Sequence, residues 1–153
     1  MTEKVTSVDL GVRWEPNGPG AVLLSNDQGR AALALDAHVD DSDQRTVVLS
    51  WTGVRYSAIG SPNDEALHGH RLYSKGLDSV LWIGEVSDSE LIAALEKQNS
   101  VHSRHEPERF AHLLHHVVLT KERTVEVVAD SLVVTRVAGS TIEAAVKALE
   151  AET

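Results

Sequence analysis

The sequence predicts a single α+β domain over residues 1–153, a curved, mostly antiparallel sheet of about seven strands with two or three packed helices. Three observations carry that expectation. Short runs rich in β-branched and aromatic residues recur along the chain, bounded by Gly, Pro, Asn and Asp turn chemistry. Two windows carry apolar residues at helical spacing behind serine caps. The length, with 42% apolar and 24% charged residues, suffices to bury a core without disulfides or a metal.

Taken in order, Val5, Leu10, Val12 and Trp14 alternate with polar residues toward the end of the run, as in a strand with one wet face. Pro16-Asn17-Gly18-Pro19-Gly20 then breaks the chain. Ala21–Leu24 and Ala31–Val39 read as strands joined through Asn26-Asp27-Gln28-Gly29, where glycine can take positive φ. Asp40-Asp41-Ser42-Asp43 lacks the central glycine and terminal glutamate of a calcium loop and reads as an acidic turn. Thr46–Trp51 and Val54–Ile59 are β-rich, with Gly53 marking a bend.

Val80-Leu81-Trp82-Ile83 reads as a buried strand. Ser87 followed by Glu90 resembles a capping box opening a helix near residues 88–99, its stripe formed by Leu91, Ile92 and Leu95. Pro107 suits the first turn of a second short helix with Phe110, Leu113 and Leu114 inside. Val117–Thr120 and Thr124–Val128 form a hairpin through Lys121-Glu122-Arg123, and Leu132–Val137 is a further strand. Ser140 with Glu143 opens the clearest helix, near residues 140–151, with Ile142, Ala145, Val146 and Leu149 down one side. The three tryptophans are expected as core anchors whose indole N–H groups need partners.

Composition narrows function by exclusion. Without cysteine there is no disulfide scaffold, thiolate zinc site or Cys nucleophile. Twenty-three acidic against fourteen scattered basic residues give a formal charge of −9, which repels phosphate backbones and anionic bilayers, so neither nucleic acid nor membrane is an expected partner. The first residues lack the basic start and apolar core of a signal peptide, and no apolar run approaches the roughly 18 residues of a span, so a cytoplasmic location is expected. No Gly-x-Gly-x-x-Gly, P-loop, Gly-x-Ser-x-Gly or His-Glu-x-x-His pattern occurs, and no cofactor is assigned.

Chemistry concentrates between Gly60 and Gly76, where the segment brings together Asn63, Asp64, Glu65, His68, His70, Arg71 and Tyr73. His68 and His70, two apart around Gly69, would share one face of an extended segment and could chelate a metal with Glu65, His112, His115 or His116 as a third ligand. The pair resembles the opening of the cupin metal motif, but Glu85 lies too far along and the second half is missing, so that family is not assigned. A metal-free reading makes Asp64 or Glu65 orient His70 as acid or base, with Asn63, Arg71 and Tyr73 binding the ligand. The bland alternative is helix initiation, with Ser61 as N-cap, Pro62 at the first helical position, and Asp64 and Glu65 complementing the dipole. Among the remaining histidines, His116 is expected to begin a strand, with one of His115 and His116 pointing inward.

The leading functional expectation is a binding or interaction module, with that His/carboxylate pocket for a small polar ligand or an acidic surface for a partner protein. The alternative is a small enzyme using His70 with Asp64 or Glu65, with or without a metal at His68 and His70.

Overall fold

The computed structural model describes residues 2–151. Among these residues nine strands form two antiparallel sheets: β1 (Lys4–Ser7), β2 (Val22–Ser25), β3 (Arg30–Leu35), β4 (Thr46–Thr52), β5 (Tyr56–Gly60), β6 (Ile83–Ser87), β7 (Leu114–Leu119), β8 (Thr124–Ala129) and β9 (Ser131–Val137). One sheet runs β1-β6-β7-β8-β5 and the other β2-β3-β4-β9. The α+β class stands as read, but the strands divide between two sheets, not one of about seven. Among the described residues three α-helices accompany them: α1 (Glu90–Asn99), α2 (Glu108–Ala111) and α3 (Thr141–Glu150).

Period-two alternation explains the layering, because each strand must bury one face and several bury both. Leu33, Leu49, Trp51, Val118, Val125 and Val127 meet between the sheets with Trp14. On the far side of the four-stranded sheet, Ala32, Ala34 and Val48 receive Ala144 and Ala145 of α3. Small residues on both surfaces let that helix approach closely. Consequently its alanine face is the buried one, while Ile142 and Val146, expected inside, are exposed. On the far side of the five-stranded sheet, Val5, Val86 and Val117 are covered by Leu72, Leu77 and Val80 from the segment before β6.

Several element boundaries differ from the sequence reading. Only Lys4–Ser7 of the first run is strand, and Trp14 reaches the sheet through an isolated bridge to Ala37. The strand read at Val80–Ile83 begins at Ile83: Val80 closes a 3-10 turn over Leu77–Ser79 by donating to the Leu77 carbonyl, and Leu81 is exposed. Ser87 ends β6 instead of capping a helix. Asp88 turns the chain at φ 50°, and Ser89 is the N-cap, accepting from Ile92 N–H. Ser61 likewise gives way to Asn63, whose side chain accepts from Ala66 N–H at the start of a 3-10 turn over Asp64–Gly69.

The indoles find partners in two cases of three. Trp51 Nε1 donates to His116 Nδ1 at 3.1 Å, and Trp82 Nε1 to the Trp14 carbonyl at 3.0 Å. Trp14 Nε1 is buried and has no partner among the described residues.

Candidate functional site

The 60–76 segment does not close into one pocket. Asp64, Glu65 and His68 are exposed, and no hydrogen bond or ion pair joins either acid to His70. Asn63 serves as a cap, and Tyr73 begins a 3-10 turn over Tyr73–Lys75. Among the described residues no group of three or more His, Cys, Asp or Glu side chains is arranged to hold a metal ion.

His70 and Arg71 turn inward, to a carboxylate from elsewhere in the sequence. Leu72 and Leu77 bury themselves in the core, which draws the preceding residues down onto the outer face of the five-stranded sheet. There Arg71 grips Glu126 of β8 with both terminal nitrogens, Nη1 to Oε2 at 2.9 Å and Nη2 to Oε1 at 2.6 Å. Such a two-point grip matches the planar guanidinium to the planar carboxylate. His70 Nδ1 accepts from Leu72 N–H, which places the ring hydrogen on Nε2, 3.6 Å from Glu126 Oε2. From β7, His115 brings Nε2 to 2.9 Å of Glu126 Oε1.

Burial alone would raise the Glu126 pKa, but donation from His115, His70 and Arg71 outweighs it and holds the carboxyl well below the usual range. An ionised carboxylate only accepts. The His115 hydrogen therefore sits on Nε2, and Nδ1 presents its lone pair to Ser89 Oγ, 2.7 Å away. The result is one directed chain, Ser89 to His115 to Glu126, anchored by Arg71.

A second carboxylate braces the same corner. Glu3, just before β1, accepts from Glu90 N–H at the start of α1 and from Lys75 Nζ, each at 2.8 Å. Burial opposes its ionisation, yet these two donors lower its pKa.

Ser89 opens onto an open groove of about 890 Å³ between the β6 end of the sheet, α1 and α2. Its apolar lining includes Val86, Ile92, Phe110 and Leu113, and its charged lining is Glu85, Asp88 and Glu96. No lysine, arginine or histidine lines it among the described residues. Of the three relay residues, only Ser89 reaches this groove.

The sequence reading missed Ser89, His115 and Glu126 as a group because they lie on three elements. A signal was present in Glu126, the one charged residue inside the apolar run Thr124–Ala129. A carboxylate at such a position needs donors supplied by the fold. The strand expected to begin at His116 begins at Leu114, a residue read as the inner face of the preceding helix, and His115 and His116 point to opposite faces with both buried, where one was expected inward.

Comparison with protein-family models, with curated proteins and with solved structures yields no match to this chain.

Proposed function

We propose that the protein is a ligand-binding module whose groove takes a small amphipathic cation, an ammonium group carried on an alkyl or aryl body. The observation that supports this reading most directly is the groove's lining: apolar side chains interrupted by three carboxylates and no basic residue. Phe110 and Ile92 offer the apolar body a place to lose water, at roughly 25 cal/mol per Å² of apolar surface removed. Glu85, Asp88 and Glu96 offer the head group a negative field, and the formal charge of −9 on the whole chain adds long-range attraction for cations. Relative to the expectation of a polar pocket at residues 60–76, the ligand site moves to the α1–α2 groove. His70 and Arg71 hold Glu126, which lies outside the groove and is linked to it through His115 and Ser89.

Titration calorimetry with 4-phenylbutylammonium and with 4-phenylbutyrate tests the reading. The cation is expected to bind, more weakly as salt is raised, and Glu96→Gln and Phe110→Ala each weaken it severalfold. Equal binding of the anion, or no heat from the cation at millimolar concentration, would overturn the assignment.

A further inference from the structure

The relay behind the groove has a chemical consequence beyond ligand capture. Ser89 follows β6 through the sharp turn at Asp88 and begins α1, so its hydroxyl is fixed from two sides. Oγ accepts from Ile92 N–H at 3.1 Å and directs its own hydrogen at His115 Nδ1. One oxygen lone pair remains. His115 is fully buried, whereas Ser89 keeps 8% of its surface and lines the groove. A hydroxyl, an imidazole of fixed tautomer and an ionised carboxylate in hydrogen-bonded sequence are the parts of an activated oxygen nucleophile.

We infer that Ser89 is the nucleophile of a serine esterase activity acting on carboxylic esters bound in this groove. Only the choice of a cationic, amphipathic ester rests on the proposed ligand class; the nucleophile does not. Oγ bonds to the ester carbonyl carbon while its proton passes to His115 Nδ1, and the carbonyl π pair moves onto oxygen. That oxygen meets the N-terminal turn of α1. There Glu3 occupies Glu90 N–H, Ser89 occupies Ile92 N–H, and Leu91 N–H has no acceptor among the described residues. Collapse breaks the ester C–O bond, and the proton held at His115 Nδ1 passes to the departing alcohol past Ser89, the one member of the relay that lines the groove. Water then adds to the acyl carbon, lends its proton to Nδ1, and the released Oγ recovers that proton as the carboxylic acid leaves. Glu126 stays ionised throughout and stabilises the His115 imidazolium, while Arg71 positions Glu126.

An alkyl fluorophosphonate, which captures activated serine hydroxyls with loss of fluoride, tests this on the full chain by intact mass and peptide mapping. One adduct per chain at Ser89 is expected. His115→Gln should slow its formation about a hundredfold or more, and Ser131→Ala, at the start of β9, should leave it unchanged. Folded wild-type protein that stays unlabelled under excess reagent, or an adduct mapped to another residue, overturns the proposal whether or not Ser89→Ala folds. Unlabelled protein that still binds 4-phenylbutylammonium loses the esterase and keeps the ligand site. Protein labelled at Ser89 that ignores the cation does the reverse.

Discussion

Glu126 shows how one side chain organises others that are far apart in sequence. Its side chain is 14% exposed and that of Arg71 51%, so removing the acid leaves an arginine that can turn to water, and two histidines with less freedom to do so. Removing one partner of a fully buried pair costs about 3–5 kcal/mol; the half-exposed arginine brings the expected cost of Glu126→Gln to about 2 kcal/mol. Arg71→Gln should cost less, because His115 and His70 still donate. Urea denaturation at pH 7 checks the order, and a larger loss from Arg71→Gln would show that the histidines do not hold the acid. His116 makes a separate prediction. Burial pushes its pKa down to about 4, helped by repulsion from His115 whenever that ring is also protonated. An unfolded chain with an ordinary histidine therefore binds more protons between about pH 6.5 and 4, and stability falls as pH falls through that window. The size should be about 3 kcal/mol, and it should vanish in His116→Phe, read as the slope of unfolding free energy against pH. Below about pH 4.5 the lowered carboxyl of Glu126 adds a further loss of the same sign. At this scale the sequence exposed residue types but not their partners. His70 and Arg71 were legible as chemistry, but Glu126, 55 positions beyond Arg71, was not.

Element by element, legibility followed how local the governing interactions are. The last helix was read correctly at its start because the Ser140–Glu143 capping box is complete within four residues: Glu143 N–H donates to Ser140 Oγ at 3.2 Å, and Ser140 N–H to Glu143 Oε1. Ser140→Ala should cost about 1 kcal/mol in thermal or urea unfolding. Its buried face was read only in part, Ala145 lying inside as expected but Ala144 taking the place of Ile142 and Val146, because that depends on Ala32 and Ala34, about 110 positions away. The start of β6 was misread for a similar reason, since Val80 and Leu77 fold under Val5 instead of extending. Gly76 permits that fold. Its φ is 118°, and a Cβ there would fall on the Val5 carbonyl oxygen, which is backbone and cannot step aside. Gly76→Ala should therefore destabilise by about 3 kcal/mol or more. It should also loosen Leu72, and with it the approach of His70 and Arg71 to Glu126. A cost as small as that of an ordinary exposed Gly→Ala change would show that the segment is not fixed there.

For the whole molecule, alternation within each strand announced antiparallel sheets but could not say how many, because pairings join distant segments: β4 lies beside β9 and β1 beside β6. Two sheets sharing one apolar layer make a physical prediction that one curved sheet does not. Leu49 on β4 and Val125 on β8 come from different sheets and belong to the same buried cluster, and Trp51 of β4 donates across the layer to His116 of β7. Neither sheet can keep its inner face dry without the other. Unfolding should then be one cooperative event, with Trp fluorescence, which reports the layer through Trp14 and Trp51, coinciding with far-UV circular dichroism, which reports the strands and helices. Leu49→Ala and Val125→Ala should each lower the midpoint of both signals together. Leu49→Ala should cost about 2–5 kcal/mol, set by how far the layer can close over the lost volume. If fluorescence moved ahead of circular dichroism in either variant, the sheets would be separable units and the groove at the β6 end would not depend on the layer between them. Coincident curves would instead mean that Ser89, His115 and Glu126 are held in line by the whole sandwich, since the strands that carry His115 and Glu126 also carry Val118 and Val125 into that layer.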